Sequence, residues 1–263
     1  MRALDPTKEE ALKEAFERDG FVVADNFFSK FELAEFAHAF RALPEFETLG
    51  ETYDTAAQLT AFLRLAGKEQ TEIVANALMG RTSRAPLYAF TNRCLIAPPH
   101  DERRTYGWHQ EVFYTMPGRF VQTWAPLIHD TTVENGTIEV CVGSHKAGVV
   151  RQEWSEPQGR AAQIIVDAGE VAKYEQRAIP MKLGQMLFFD GRLFHRSGKN
   201  TSGQTRYSLV GMYHDVHAPG FRAPVPRFDW RGDSPRKAYE RCTCGEFDVP
   251  IPCPVHAEWC RVA

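Results

Sequence analysis

Gly184-Gln185-Met186-Leu187-Phe188-Phe189-Asp190-Gly191-Arg192-Leu193-Phe194-His195 is the stretch that decides the fold. Four apolar residues, Met186 to Phe189, stand between a Gly-Gln and an Asp-Gly pair, which is how a short strand stopped by a turn is written. The same texture recurs from Pro86 onward. It predicts strands at 87–96, 109–115, 120–128, 137–142, 162–167, 178–182, 185–190 and 204–213, separated by Gly, Pro, Asn and Asp clusters. About eight short strands in one block indicate a double-sheet jelly roll.

Upstream of Pro86 the apolar period is helical. Thr7 with Glu10 makes a capping-box pattern ahead of Leu12, Ala15 and Phe16, and Gly20 ends that helix before Phe21-Val22-Val23 begins an extended segment. Ser29 with Glu32 opens a second helix carrying Leu33, Phe36, Ala37 and Phe40. Leu59, Phe62, Leu63 and Ala66 mark a third, and Ile73, Val74, Ala77 and Leu78 a fourth, closed by Gly80. The fold class is therefore mostly β with α, a double-stranded β-helix (jelly roll, cupin-like) core buttressed by N-terminal helices. Residues 40–60 and 98–107 read as loops, 143–177 as a long insert beside the barrel mouth, and 215–236 as an extended arm. Residues 1–236 form one domain in this reading, and 237–263 a Cys/His-rich appendage.

Composition narrows the function classes. The 263 residues are 43% hydrophobic and 25% charged, ordinary for a globular chain with a sizeable core. A formal charge of −3 gives no global basic field, which argues against nucleic acid or an anionic membrane as partner. No apolar run approaches the roughly 20 residues of a membrane span, and Met1 to Glu17 has no apolar secretion core, so a cytoplasmic location is expected. In that compartment the six cysteines are thiols or metal ligands rather than disulfides.

Three residues suggest chemistry. His109 and Glu111 are two apart, so on a strand they project from one face, and His195 can complete a triangle from a distant strand. Two imidazoles and one carboxylate suit Fe(II) and leave the opposite side of the metal open. Further on, Arg206 and Ser208 share one strand parity, and a guanidinium with a hydroxyl makes a receptor for a carboxylate. His-x-Glu alone is weak evidence. Its conjunction with a histidine after an apolar strand and an Arg-x-Ser pair is much stronger.

At this point the chain resembles the phytanoyl-CoA dioxygenase family of Fe(II)/2-oxoglutarate oxygenases. The matching text, in order, is Asp19-Gly20-Phe21-Val22-Val23, Trp108-His109-Gln110-Glu111, Glu134-Asn135-Gly136, Gly143-Ser144-His145-Lys146, Gly191 through Asn200, and Arg206-Tyr207-Ser208. The resemblance implies that His109, Glu111 and His195 hold iron and that Arg206, helped by Ser208, anchors the co-substrate 2-oxoglutarate. Asn92 and Gln122 are further candidates for polar contacts inside the barrel, and Trp108 and Trp124 for its walls. Ser144 and His145 read as turn-shaping residues. The activity implied is hydroxylation of an unactivated C–H bond of a small organic molecule, with O2 consumed and succinate and CO2 released. One position departs from the pattern: the family usually has Asp where this chain has Glu111, a side chain longer by one C–C bond, about 1.5 Å. A carboxylate there argues against halogenation.

Outside the resemblance, Cys242, Cys244, Cys253 and His256 form a candidate structural zinc site, with Cys260 as a spare ligand. Two rival readings differ in class. One is a catalytically silent jelly-roll binding protein, against which the intact ligand set argues. The other is an oxygenase acting on a macromolecule held by the appendage and by Arg222, Arg227 and Arg231.

Overall fold

The computed structural model describes residues 6–219 and 221, apart from Arg84, Arg104, Met116 and Pro117; the side chains of residues 6–8 and 90–92 fall outside the description. The helices are α1 (Pro6–Asp19), α2 (Lys30–Arg41), α3 (Leu49–Gln58), α4 (Thr60–Ala66), α5 (Glu69–Leu78) and the single turn α6 (Ala168–Val171). The strands are β1 (Phe21–Ala24), β2 (Leu87–Ala97), β3 (Phe120–Pro126), β4 (Ile138–Cys141), β5 (Gln152–Ser155), β6 (Gln163–Val166), β7 (Gln176–Ala178), β8 (Met186–Asp190), β9 (His195–Ser197) and β10 (Arg206–Asp215).

An antiparallel sheet in the order β1-β8-β3-β10-β2 faces a smaller one in the order β7-β4-β9, and β5 and β6 form a hairpin. This is a jelly-roll core. Period-two alternation divides the large sheet between two environments. Cys94, Ile96, Val121, Ala125, Met186, Phe188, Leu209 and Tyr213 look outward and pack with Phe16, Phe36, Phe62, Leu65 and Leu78 of the helices. Trp124, Leu187, Phe189 and Val210 look inward, toward Ile138 and Val140 of the smaller sheet. Burying both faces is why β3 is apolar or uncharged along its whole length, with every residue buried.

Local signals explain most boundaries. The Ser29/Glu32 capping box forms reciprocally at the start of α2: Glu32 N donates to Ser29 Oγ at 3.2 Å and Ser29 N to Glu32 Oε2 at 2.8 Å. A second box, Thr48 with Glu51, opens α3 inside the segment expected to be loop. Helix α1 begins at Pro6, so Thr7 lies within it rather than capping it. The strand expected at 109–115 is absent. His109 makes a single bridge to His195, and Glu111–Phe113 winds into a 3-10 turn because Tyr114 N returns to Glu111 O at 2.8 Å. The strand expected at 178–182 ends at Ala178; Ile179 N still donates to Ile138 O at 2.9 Å, Pro180 has no N–H for the ladder, and Met181 makes an isolated bridge to Thr131. The insert at 143–177 contains the β5–β6 hairpin and α6. Among the described residues no helix is long and apolar enough to cross a membrane. Cys242, Cys244, Cys253, His256 and Cys260, like Arg222, Arg227 and Arg231, lie outside the described residues.

Candidate metal centre

His109, Glu111 and His195 converge, with one ligand atom from each lying within 4.8 Å of the others. The His109 Nε2 stands 3.6 Å and the His195 Nε2 3.4 Å from the same Glu111 oxygen, Oε2. The scaffold enforces this. His109 and His195 exchange backbone hydrogen bonds of 3.0 Å in both directions, which sets the imidazole centroids 4.2 Å apart. Glu111 N then donates to Gly191 O at 3.0 Å. Gly191 is needed there because a Cβ would collide with the Phe120 ring.

Hydrogen bonding fixes the rings. His109 Nδ1 meets Gly107 O at 2.7 Å and His195 Nδ1 meets Leu193 O at 2.9 Å. A carbonyl only accepts, so each Nδ1 carries a hydrogen and Nε2 is the ring atom turned toward the carboxylate. Two imidazole Nε2 atoms and a carboxylate converging in this way are a donor set that Fe(II) accepts. Burial alone would raise the Glu111 carboxyl, but hydrogen bonding and charge from His109 and His195 outweigh it and hold the group well below the usual carboxylate range. Burial, then the neighbouring His109, push His195 down, against the pull of Glu111. Both shifts favour the ligand forms, anionic carboxylate and neutral imidazole.

A second polar set lines the inner face of the large sheet. Gln122 donates from Nε2 to Glu111 Oε2 at 3.1 Å, while its buried Oε1 has no partner among the described residues. Arg206 is 5% exposed and its guanidinium stands 5.6 Å from the Trp124 ring. Burial lowers the guanidinium to about 10. Its Nε and the fully buried Ser208 Oγ have no hydrogen-bond partners among the described residues. Buried polar atoms left unpaired in this way fit a bound carboxylate. Trp124 walls this space, as expected. Trp108 does not, because its parity is opposite to that of His109. It packs against the Cys141, Val166, Val171 and Phe194 cluster, beneath the Arg196 guanidinium at 4.7 Å. Asn92 lies on β2 with its side chain outside the description.

The structure adds residues that sequence reading missed. Phe189 meets the His195 ring edge-on at 4.9 Å, and Tyr114 meets His109 edge-on at 5.6 Å. Tyr114 Oη accepts from Ile164 N at 2.6 Å, tying the β5–β6 hairpin to the metal segment. Ser144 Oγ accepts from Phe194 N at 2.8 Å, so the turn at Ser144–Ala147 supports the residue next to His195. The turn at Ser144 was expected from the sequence, whereas the ring contacts of Phe189 and Tyr114 were not.

Comparison with known proteins bears on the fold and the family. The ectoine dioxygenase of Stutzerimonas stutzeri (strain A1501) is 27% identical over 236 residues, covering 78% of this chain and 76% of that protein. The crystal structure of the epimerase SnoN in complex with Fe3+, alpha ketoglutarate and nogalamycin RO superimposes with a TM-score of 0.66 at 21% identity, covering 88% of this chain and 94% of that one. EctD from S. alaskensis with 2-oxoglutarate and 5-hydroxyectoine gives 0.60 at 23% identity, covering 78% and 76%. Residues 16–208, most of the chain, match the family described as Phytanoyl-CoA dioxygenase (PhyH). This chain belongs to that family and is a 2-oxoglutarate-dependent iron dioxygenase.

Proposed function

We propose that the protein hydroxylates an unactivated C–H bond of a small organic molecule at an iron held by His109, Glu111 and His195. The observation that carries this reading is the pair of Nε2 atoms and the carboxylate oxygen within 4.8 Å of one another, beside a buried guanidinium that lacks a partner at Nε among the described residues. Bound there with 2-oxoglutarate, iron(II) supplies the oxidising equivalent from O2, with succinate and CO2 as by-products. His109, Glu111 and His195 would hold the metal, and a donor set of three would leave it able to take co-substrate and oxygen. Arg206 and Ser208 receive the far carboxylate of 2-oxoglutarate and so orient its keto acid end toward the metal. Gln122 holds the Glu111 oxygen through its amide. Phe21, Leu187, Phe189 and Val210 wall the barrel interior with apolar surface and exclude water. A small substrate is favoured because a relative over most of the chain is named for ectoine.

Anaerobic titration of the apo protein with Fe(II) and then 2-oxoglutarate tests the reading. A visible metal-to-ligand charge-transfer band is expected, and it should vanish in His195→Ala. Its absence at saturating ligand would remove the proposed site. Residues 237–263 constitute, in the same proposal, a separate appendage in which Cys242, Cys244, Cys253 and His256 hold a structural zinc. Purified protein without zinc would sink that part.

A further inference from the structure

The two ligands His109 and Glu111 flank a residue that the proposed chemistry leaves unused. Gln110 is fully buried and its parity turns it away from the metal. Its amide is saturated. Nε2 donates to Arg192 O at 2.6 Å and to Gly148 O at 2.8 Å. Oε1 accepts from Val150 N at 3.0 Å and from Gln152 Nε2 at 3.2 Å, and the Gln110 backbone N donates to Gln152 Oε1 at 3.2 Å. An amide offers two donors and one oxygen with two lone pairs, so every capacity is used.

The partners matter more than their number. The pairing of His109 with His195 does not continue as a regular ladder, because Glu111 N reaches Gly191 O instead of a residue opposite it. This leaves the Arg192 carbonyl, three residues before His195, to be satisfied by the Gln110 side chain. One amide therefore joins the His-x-Glu segment, the turn that delivers His195, and the 148–152 loop that leads into β5.

We infer that Gln110 is a positioning residue: its side chain fixes the spacing of the three metal ligands and couples that spacing to the 148–152 loop at the base of the β5–β6 hairpin. The inference rests on the metal-centre reading above. Without the amide, the segments bearing His109–Glu111 and His195 remain joined by backbone bonds at 109/195 and 111/191. The turn between those bonds is free to shift, and the ligand triangle is no longer set before metal arrives.

The test uses the full-length apo chain, with Co(II) as probe, in Gln110→Ala and the nearly isosteric Gln110→Met. Absorption titration gives the Co(II) dissociation constant, urea unfolding of the metal-free protein gives stability, and hydrogen exchange reports on residues 148–155. Removal of a group that orients ligands typically weakens metal binding by about 10- to 100-fold. We expect that loss in both variants, together with faster exchange at 148–155 in the apo chain. Unchanged Co(II) affinity would overturn the inference even if stability fell. So would variants that no longer fold without metal, because the role would then be purely structural. A parent chain whose Co(II) binding survives His195→Ala, or that binds none, would instead sink the metal-centre reading itself.

Discussion

His195 Nε2 and Glu111 Oε2 face each other at 3.4 Å, while the far nitrogen of the same ring is committed to Leu193 O. A ring nitrogen and a carboxylate oxygen are thus turned to one point, the arrangement that a shared cation would need. The longer Glu reaches this position because it starts from a 3-10 turn rather than from a flat strand. Glu111→Gln should lower Co(II) affinity by more than about 100-fold, beyond what loss of an orienting neighbour costs. Glu111→Asp draws the carboxylate back by about 1.5 Å and should bind measurably weaker than the parent but tighter than Glu111→Gln. Equal affinity in all three would mean that Glu111 is not a ligand.

Gln122 reaches the same Glu111 oxygen from β3 at 3.1 Å. With that bond lost, the carboxylate keeps its charge but is less constrained in direction. Gln122→Leu is expected to weaken metal binding by about 10-fold, the low end for an orienting neighbour, and to leave the apo fold intact. Metal titration beside urea unfolding separates the two effects. A parent-like metal affinity would reduce Gln122 to a lining residue.

Arg206 is buried without an anionic partner among the described residues, which costs stability and, on the proposed reading, leaves it for a carboxylate. Arg206→Met should therefore split two measurements. Affinity for 2-oxoglutarate, read from the charge-transfer band, should fall by about 10- to 100-fold, as expected for a hydrogen bond between charged groups worth about 1.5–3 kcal/mol. Stability of the apo protein should hold or rise. A variant that binds 2-oxoglutarate as the parent does would place the carboxylate elsewhere.

How much of this was readable in the sequence depended on the distance over which each signal acts. Strands such as Phe120–Pro126 and Met186–Asp190 were readable because both faces are buried and the runs are apolar. Helix α3 was not, because only Tyr53 and Ala56 of its ten residues are buried, although its Thr48/Glu51 box was there to be found. Parity alone correctly set Arg206 on the same face of β10 as Ser208. It failed where the backbone leaves the strand, at the 3-10 turn after His109 and at Pro180. The work of Gln110 was unreadable because its partners, at Gly148, Val150, Gln152 and Arg192, are distant in sequence and three of the four bonds to its amide are to backbone atoms.

A last prediction concerns acid stability and a histidine outside the metal triad. His214, near the end of β10, is fully buried, stacked on Phe120 at a centroid distance of 4.6 Å, with Nε2 2.8 Å from Thr115 Oγ1. Burial pushes its pKa down from 6.5 to about 4. The folded chain therefore keeps this ring neutral in a range where the unfolded chain protonates it. As pH falls below 6.5 the unfolded state takes up the extra proton, and stability declines until the folded ring also titrates near 4. A gap of that size corresponds to a loss of about 3 kcal/mol on complete titration. His214→Gln has no proton to gain, keeps a polar group for Thr115, and should flatten that part of the profile between pH 6.5 and 4. Urea unfolding of parent and variant across this range is the measurement. Parallel curves would show that His214 titrates alike in both states and that acid sensitivity arises elsewhere.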